Sequence, residues 1–330
     1  MRTAVTGSIA TDHLTVFPGR FTEQLLAGRL DTVSLSFLVD ELEVRRGGVA
    51  ANISFGLGVL GLAPVLVGAA GTDFAEYGAW LRDHGVDTGS VKVSRTRRTA
   101  RFMCTTDADQ NQIAVFYAGA MAEAREIALA EVVARVGGLD LVVVAPDDPE
   151  AMARHTAESR RLGIPRAADP SQQLARIDAG EARRLVDGAV LLFTNEYEAA
   201  LLRERTGWTE RQVLDRVGTW IVTRGGSGVS LLSAGSRVRA VPAAPADQVV
   251  DPTGGGDAFR AGYLAGLGRG LSPERSAQMG CALAAGVLET VGTQEYTLVP
   301  AEFAARLTDA YGPAAAREIT ERGVVGTGTG

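Results

Sequence analysis

Short apolar runs alternate with helical patterns along the second half of the chain, and this alternation limits the possible folds more than any other feature. The runs at 139–145, 166–168, 190–194 and 220–223 have the length of buried strands, and helical periodicity separates them. Parallel strands need long crossover connections, usually helices that cover both faces of the sheet. The pattern therefore predicts an α/β fold with a doubly wound, mostly parallel sheet.

The first 120 residues follow a different pattern, in which half-exposed strands interrupt this arrangement. Apolar and polar residues alternate over 33–39, and two further strands are predicted at 99–106 and 112–117. We assign them to a small β-sheet built from insertions at about 13–46 and 87–120. A sheet too small to bury both of its faces must cover another surface. We expect it to act as a lid over a cleft and to form a homodimer contact.

Composition excludes several classes of function. The 330 residues carry a formal net charge of −6 without a basic block, which argues against a nucleic-acid partner. Two cysteines do not make a disulfide framework, and no apolar run approaches the roughly 20 residues of a membrane span. We expect a cytoplasmic protein with one domain over 1–322 and a disordered tail over 323–330. Lys92 is the only lysine, so no motif can supply a catalytic lysine.

A glycine-rich turn before a predicted helix is the most informative stretch for function. Gly254, Gly255 and Gly256 leave backbone N–H groups free to converge on an anion, and the helix dipole adds positive potential there. Asp257 follows in the first helical turn, where a carboxylate could deprotonate a hydroxyl that attacks a γ-phosphorus. The alternative is an ordinary turn in which Asp257 caps the helix. The turn has no Walker A lysine, and it lies too late in the chain for a dinucleotide fingerprint.

Four ordered motifs together resemble the signatures of the ribokinase-like (PfkB) carbohydrate and nucleoside kinases. The resemblance spans nearly the whole chain, and the motifs are Arg46-Gly-Gly48 with Asn52, Asn195-Glu-Tyr-Glu198, Thr223-Arg-Gly-Gly-Ser-Gly228, and Asp251-Pro-Thr-Gly-Gly-Gly-Asp257. The resemblance implies a ribokinase-like fold and ATP-dependent phosphoryl transfer. It implies that ATP binds at Asn195, Thr223, Gly225 and Gly228. It further implies that Asn195 and Glu198 position Mg²⁺ through water, and that carbonyls near Asp251, Thr253, Thr290 and Gly292 form a potassium site.

The acceptor side needs short polar side chains and glycines that let the backbone approach a sugar. Asp12 can accept hydrogen bonds from two vicinal hydroxyls, and Asn52 offers both a donor and an acceptor. Gly48 belongs to the matched glycine pair, and Ser8 and Ser36 are further candidates. Each of these polar groups could instead serve a turn or a helix cap, and Ser36 could simply face solvent. The resemblance favours a binding role for Asp12, Gly48 and Asn52.

An aromatic pair bears on whether the acceptor is a sugar or a nucleoside. If residues 107–111 form a five-residue hairpin loop, Phe102 lies opposite Phe116, and the two rings could stack on a base. Gln172 and Gln173, at the end of a predicted strand, could hydrogen-bond a purine edge. The alternatives are a routine cross-strand pair that stabilises the lid and a capped helix start.

Beyond the motifs, the chain resembles bacterial adenosine kinases within the same family. The stretches concerned are 7–12, 34–39, 169–175 and 251–262. This implies adenosine as acceptor, ATP as donor and AMP as product, with Phe102, Phe116, Gln172 and Gln173 as base contacts. A kinase for a free sugar or another nucleoside, and a non-catalytic nucleotide-binding regulator, are the alternatives. An NAD-linked oxidoreductase lacks its fingerprint in the first βαβ unit.

Overall fold

The structure, a computed structural model, describes residues 1–25, 32 and 34–322. Nine strands of these residues form one large sheet in the order β13-β12-β11-β10-β9-β8-β1-β4-β5. Their bounds are β1 Thr3–Thr6, β4 Val65–Ala70, β5 Asp87–Val93, β8 Leu141–Val144, β9 Arg166–Ala168, β10 Leu191–Asn195, β11 Thr219–Thr223, β12 Val229–Leu232 and β13 Arg239–Val241.

The large sheet is parallel except at one edge, where β12 pairs antiparallel with β11 and forms a hairpin with β13. The central strands β1, β4 and β8 are buried along their whole length. Apolar side chains pack in two large clusters, and the alternating residues of β8 divide between them: Val143 joins one and Val142 the other. The predicted doubly wound α/β fold, with helices on both faces, is therefore confirmed.

Helices account for most of the remaining structure. Their bounds are α1 Phe21–Gln24, α2 Val49–Val59, α3 Ala75–Asp83, α4 Leu129–Val136, α5 Pro149–Arg161, α6 Ala179–Val186, α7 Glu196–Thr206, α8 Glu210–Leu214, α9 Gly255–Gly268, α10 Pro273–Leu288, α11 Pro300–Tyr311 and α12 Pro313–Glu321. Three 3-10 helices lie at Gly119–Glu126, Ser171–Ala175 and Gly225–Ser227. Among the described residues, no helix combines the length and apolar character needed to cross a bilayer.

A second sheet of four described strands forms the lid. It contains β2 Ala10–Val16, β3 Leu42–Gly47, β6 Ala100–Thr106 and β7 Gln112–Tyr117, in the order β3-β2-β6-β7. The hairpin register is the predicted one, because Thr106 pairs with Gln112 and Phe102 with Phe116. The small lid sheet expected from the sequence is therefore present.

The lid differs from the sequence prediction in two places. β5 pairs in parallel with β4 at the edge of the large sheet, so the second lid segment begins near residue 100 and not at 87. The half-exposed pattern of β5 reflects this edge position; there Lys92 forms an ion pair with Glu126 at 2.8 Å. Residues 34–39 form no strand, and β3 begins only at Leu42. Part of the predicted 13–46 insertion (26–31 and 33) and the predicted tail at 323–330 lie outside the described residues.

Candidate active site

The carboxyl ends of the central strands open into a cleft beneath the lid. β1 pairs with β4 on one side and with β8 on the other, so the strand order reverses beside β1. α/β sheets bind their ligands at such a reversal. A cavity of about 470 Å³, the lid cavity, lies between this edge and the lid sheet. Its lining includes Ser8, Asp12, Gly48, Asn52, Phe102, Phe116, Gln172, Gln173, Gly254 and Asp257. Ten residues predicted to contact the acceptor or act in catalysis thus line a single cavity.

Asp257 lies in the first turn of α9 and is held by a side chain from a different helix. Asn52 Nδ2 donates to Asp257 Oδ2 at 2.9 Å. Asn52 is itself fixed, because its Oδ1 accepts hydrogen bonds from Thr293 Oγ1 and Gln294 Nε2, both at 2.9 Å. The N-cap of α9 is Gly254 and makes no side-chain capping bond. The alternative in which Asp257 serves as the helix cap is therefore wrong.

The surroundings of Asp257 act on its pKa in opposite directions. Burial raises the pKa, and the nearby carboxylate of Glu198 raises it further. The Arg260 guanidinium and the hydrogen bond from Asn52 lower it, but they do not cancel the effect of burial, so the pKa stays above its ordinary value. A raised pKa makes the carboxylate a stronger base, which suits a group that must remove a proton from a hydroxyl.

The glycine turn separates the lid cavity from a second cavity. Gly254 has a φ of 80°, a left-handed conformation, and a Cβ there would lie 2.8 Å from Thr293 Cγ2. The next two glycines, Gly255 and Gly256, line a cavity of about 580 Å³, the glycine-loop cavity, together with Thr223, Gly225 and Gly228. The backbone N–H groups in the first turn of α9 thus lie between the two cavities. There they could bind an anionic group that is transferred from a ligand in one cavity to a ligand in the other.

The start of α2 shows why the Gly47-Gly48 pair is needed. Gly48 is the N-cap and has a φ of 95°, and a Cβ there would lie 2.6 Å from both Ser8 O and Ala10 N. The Ser8 hydroxyl accepts a hydrogen bond from Val49 N at 3.0 Å. Ser8 therefore caps α2 and also lines the lid cavity, so its two candidate roles are compatible.

Asp12 extends from the lid strand β2 into the cavity. Burial raises its pKa to about 6. The carboxylates of Asp251 and Glu295 also raise this pKa, whereas the Arg45 guanidinium lowers it. Arg45 lies opposite Asp12 on β3 and donates to Asp251 Oδ2 at 3.2 Å, so the lid is connected to the loop before the glycine turn. A carboxylate with two acceptor oxygens at this position could bind vicinal hydroxyls.

Phe102 and Phe116 lie on adjacent lid strands, and both face the lid cavity. They remain 36% and 47% exposed, and neither stacks on another aromatic ring of the described residues. A pair that served only to stabilise the sheet would be expected to pack against its surroundings. The two rings instead leave apolar faces available to a flat ligand.

Gln172 and Gln173 reach the cavity in different ways. Gln172 is exposed, whereas Gln173 is 6% exposed and its Nε2 donates to Asp147 O at 2.7 Å. The Gln173 Oε1 is buried and has no partner among the described residues. The preceding Ser171 has a φ of 43° and donates to Glu198 Oε1 at 3.2 Å, so it does not act as the helix cap considered as an alternative.

Asn195 and Glu198 form a capping box at the start of α7. Asn195 Oδ1 accepts from Glu198 N, and Glu198 Oε2 accepts from Asn195 N, each at 2.8 Å. Neither residue lines the two cavities described above. No group of three acidic, histidine or cysteine side chains in the described part of the chain could hold a metal by itself. The carboxylates of Glu198 and Asp257 are hard oxygen donors that suit Mg²⁺ held largely by phosphates and water.

The residues predicted near a potassium ion converge beside the glycine turn. Asp251 accepts hydrogen bonds from Gly292 N at 3.0 Å and from Thr253 N at 2.9 Å, which brings the two loops together. Thr290 lies just after α10, and its hydroxyl donates to Val287 O at 3.0 Å. The Asp251 carboxylate thus joins the two loops through their backbone N–H groups.

Ser36 is the one predicted acceptor-site residue that the structure does not bring to the site. It is exposed and lines neither cavity, because residues 34–39 run over the surface. Conversely, sequence reasoning missed Thr293, Gln294 and Asp169. Gln294 donates both to Asn52 and to Tyr77, and Asp169 pairs with Arg260. These contacts join segments that are distant in sequence, and no local motif indicates them.

The family comparison agrees with this geometry. Residues 8–300 match the pfkB family carbohydrate kinases. A nucleoside kinase of Methanothermobacter thermautotrophicus is 31% identical over 272 residues, which cover 81% of this chain and 85% of that protein. A nucleoside kinase of Methanocaldococcus jannaschii is 28% identical over 75% of this chain and 80% of its own length.

A solved structure is similar along nearly the whole chain. The nucleoside kinase of Burkholderia thailandensis in complex with inosine superposes with a TM-score of 0.82 at 34% identity. The match covers 94% of this chain and 98% of the Burkholderia chain. The same fold therefore extends over both cavities and the lid.

Proposed function

The chain belongs to the pfkB family of carbohydrate kinases, and we propose on this basis that it is an ATP-dependent nucleoside kinase whose acceptor is the 5′-hydroxyl of adenosine. The products are AMP and ADP, as in purine salvage. The relatives described above are nucleoside kinases, which supports a nucleoside acceptor. The choice of adenosine rests on the lid cavity.

One observation carries the proposal: a single cavity has an aromatic pair on its lid side and a helix-start carboxylate on its floor. Phe102 and Phe116 offer faces to a base, and Asp257 lies beside the free N–H groups of the glycine turn. Between them, Asp12 offers two acceptor oxygens to a ribose, and Asn52 holds the Asp257 carboxylate in place. A free sugar would use only the polar part of this cavity and would leave the two rings uncovered.

The orientation of Gln173 favours a base that presents a hydrogen-bond donor to its side chain. Its Nε2 is committed to Asp147 O, so the group that remains for a ligand is the acceptor Oε1. The amino group on C6 of adenine is such a donor, and the N1–H of hypoxanthine is one as well. A donor near Oε1 would satisfy a buried polar atom that otherwise has no partner, which is a favourable change.

In the proposed reaction, ATP lies in the glycine-loop cavity with its γ-phosphoryl group at the start of α9. Asp257 accepts the proton of the 5′-hydroxyl as that oxygen forms a bond to the γ-phosphorus and the bond to the ADP oxygen breaks. The N–H groups of Gly255, Gly256 and Asp257 donate to the transferring group. Loss of one such donor typically raises the barrier by about 3–4 kcal/mol. Asn195 and Glu198 would hold Mg²⁺ through water, and the ion would supply positive charge that neutralises the phosphates.

Three further assignments belong to this proposal. Carbonyls near Asp251, Thr253, Thr290 and Gly292 would form the potassium site. The lid would form a homodimer contact, because its outward face carries exposed apolar side chains such as Val44, Met103, Ile113 and Val115. The free, buried cysteines Cys104 and Cys281 fit a cytoplasmic location.

The test is an ADP-release assay across adenosine, inosine, other nucleosides and pentoses. We expect adenosine to give the highest kcat/KM, and a higher value for inosine or ribose would refute the proposed acceptor. The inosine complex of the Burkholderia relative makes inosine the main competitor. Phe116→Ala should weaken adenosine binding by roughly 1–3 kcal/mol and leave ATP binding unchanged. Val115→Ala, on the opposite face of the same strand, is the matched control.

A further inference from the structure

A buried ion pair joins two parts of the site that are 91 residues apart in sequence. Arg260 Nε lies 2.6 Å from Asp169 Oδ2, and Arg260 Nη2 donates to Asp169 Oδ1 at 2.7 Å. The Nη2–Oδ1 contact is a charge-assisted hydrogen bond, and Nε lies close to Oδ2 without hydrogen-bond geometry. The Asp169 side chain is completely buried and that of Arg260 is 9% exposed.

The pair is a costly way to stabilise a fold. Removing two charges from water carries a penalty that their attraction often only balances, and apolar side chains of similar volume usually stabilise at least as well. Burial tends to lower the pKa of Arg260, but the carboxylates of Asp169 and Asp257 outweigh it and keep the guanidinium charged. The Arg260 guanidinium also lies 5.8 Å from the centre of the Phe193 ring. Stability alone is therefore a weak reason for this pair.

Both ends of the pair lie next to reacting parts of the site. Asp169 directly follows β9 and begins the segment 169–173, which contains Gln172 and Gln173. Arg260 lies three residues after Asp257 on α9. Its remaining nitrogen, Nη1, packs against the glycine turn, since a Cβ on Gly256 would lie 2.9 Å from it.

The same segment is connected to the rest of the site a second time. Ser171, held in a left-handed conformation, donates to Glu198 at the start of α7. The segment 169–173 therefore contacts the helix that carries Asp257 at one residue and the capping box of α7 at another. A displacement of either glutamine would be transmitted to α9 through Asp169.

We propose that the Asp169–Arg260 pair is a positioning device that makes catalysis at Asp257 depend on base contacts at segment 169–173. This inference rests on the proposed nucleoside kinase activity and specifies how the base is coupled to the reacting hydroxyl. A base held by Gln172 fixes the segment, and the ion pair then fixes the first turns of α9 relative to the ribose. Neither Asp169 nor Arg260 needs to touch the substrate.

A double-mutant cycle between Gln172→Ala and Arg260→Lys tests the coupling. Lysine keeps the charge but cannot make the two-nitrogen contact with Asp169. Gln172→Ala should lower kcat/KM for adenosine about 5- to 10-fold in the wild-type background, the loss expected for a hydrogen bond. In the Arg260→Lys background the same change should cost less than about 2-fold, because coupled residues are not additive. Arg260→Lys should also lower kcat and raise the KM for adenosine while the KM for ATP changes less than about 2-fold.

Arg166→Lys is the matched control, because Arg166 is a second buried arginine at the opposite end of β9. Its guanidinium donates to Leu185 O and Asp187 O, away from both cavities. It should lower the Tm, yet Gln172→Ala should keep its full effect in this background. If Arg260→Lys does not fold, the neutral pair Asp169→Asn with Arg260→Gln replaces it, because that variant removes both charges of the ion pair together.

An additive cycle, with Gln172→Ala equally harmful in all backgrounds, overturns the inference. If Gln172→Ala is silent in the wild type, the same cycle is run with Gln173→Ala. Failure of the proposed function would appear in the wild-type enzyme alone, as phosphorylation of some other acceptor. The cycle can then be measured with that acceptor, so the two failures are distinguishable.

Discussion

Replacing Asp12 by asparagine should make the protein more stable and a poorer kinase. The change keeps the shape of the side chain and one acceptor oxygen but removes the charge. Arg45 does not lose its partners, because it also contacts Glu43 and Asp251. The variant therefore isolates the cost of holding an ionised carboxylate beneath the lid.

The magnitude follows from the pKa of Asp12, which burial raises from 3.8 to about 6. A shift of about two units corresponds to about 3 kcal/mol. Because the folded state holds this proton more tightly than the unfolded state, the wild type loses this stability as the pH rises from about 4 to 6. Above pH 6, Asp12→Asn should be more stable by up to about 3 kcal/mol, or about 4 °C in Tm for a chain of this length. The advantage should vanish near pH 4.

The assay is the Tm of variant and wild type between pH 4 and 8, with the KM for adenosine at pH 7.5. The KM should rise about 10-fold or more, as expected for loss of a charged hydrogen-bond partner. Asp83→Asn, which removes an exposed carboxylate on α3, controls for the change in net charge. A Tm difference that does not vary with pH would refute the reasoning, because it would mean that Asp12 titrates normally in the folded protein.

Three further substitutions test the reaction centre. Asp257→Asn should preserve the fold and nucleoside binding but lower kcat by about 10²–10⁴-fold in the ADP-release assay, because the general base is lost. Glu198→Gln should raise the Mg²⁺ concentration that gives half-maximal rate, because a carboxylate that orients metal-bound water loses its charge. Gly254→Ala should lower both Tm and kcat, because alanine is strained at a φ of 80° and its Cβ would lie 2.8 Å from Thr293.

Each of these has a clear contrary result. Activity of Asp257→Asn within a few-fold of the wild type would remove this residue from the mechanism. An unchanged Mg²⁺ titration of Glu198→Gln would mean that Glu198 only caps α7. The matched control for this variant is Glu196→Gln, which removes a carboxylate two residues earlier in the same helix. A normal kcat for Gly254→Ala would show that the turn tolerates a shift of its N–H groups. The matched control is Gly286→Ala, because a Cβ at Gly286 would meet no atom within 4 Å.

Local patterns were enough to predict the elements and much of the site. The strands at 166–168 and 112–117 have the predicted bounds, because short runs of strand-forming residues bounded by turn residues are local signals. The pairing of Phe102 with Phe116 was predicted by counting residues outward from the loop at 107–111. The lid cavity then collects residues from motifs that lie up to 249 positions apart, from Ser8 to Asp257.

The contacts that orient the site could not be read in the same way. Asn52 was predicted to bind sugar, yet its amide is held between Asp257, Thr293 and Gln294. Such contacts depend on how α2 packs on α9, which no periodicity encodes. The prediction that β5 belongs to the lid was wrong for a related reason. An edge strand of a large sheet and a strand of a small lid show the same half-exposed alternation.

The single lysine has a practical consequence. Lys92 lies on β5 at the edge of the large sheet, lines neither the lid cavity nor the glycine-loop cavity, and is 36% exposed beside Glu126. Amine-reactive reagents can therefore modify only this side chain and the N-terminal amine. A fluorophore or a surface linker attached at Lys92 would leave both cavities free, and the enzyme could be labelled there without any engineered cysteine.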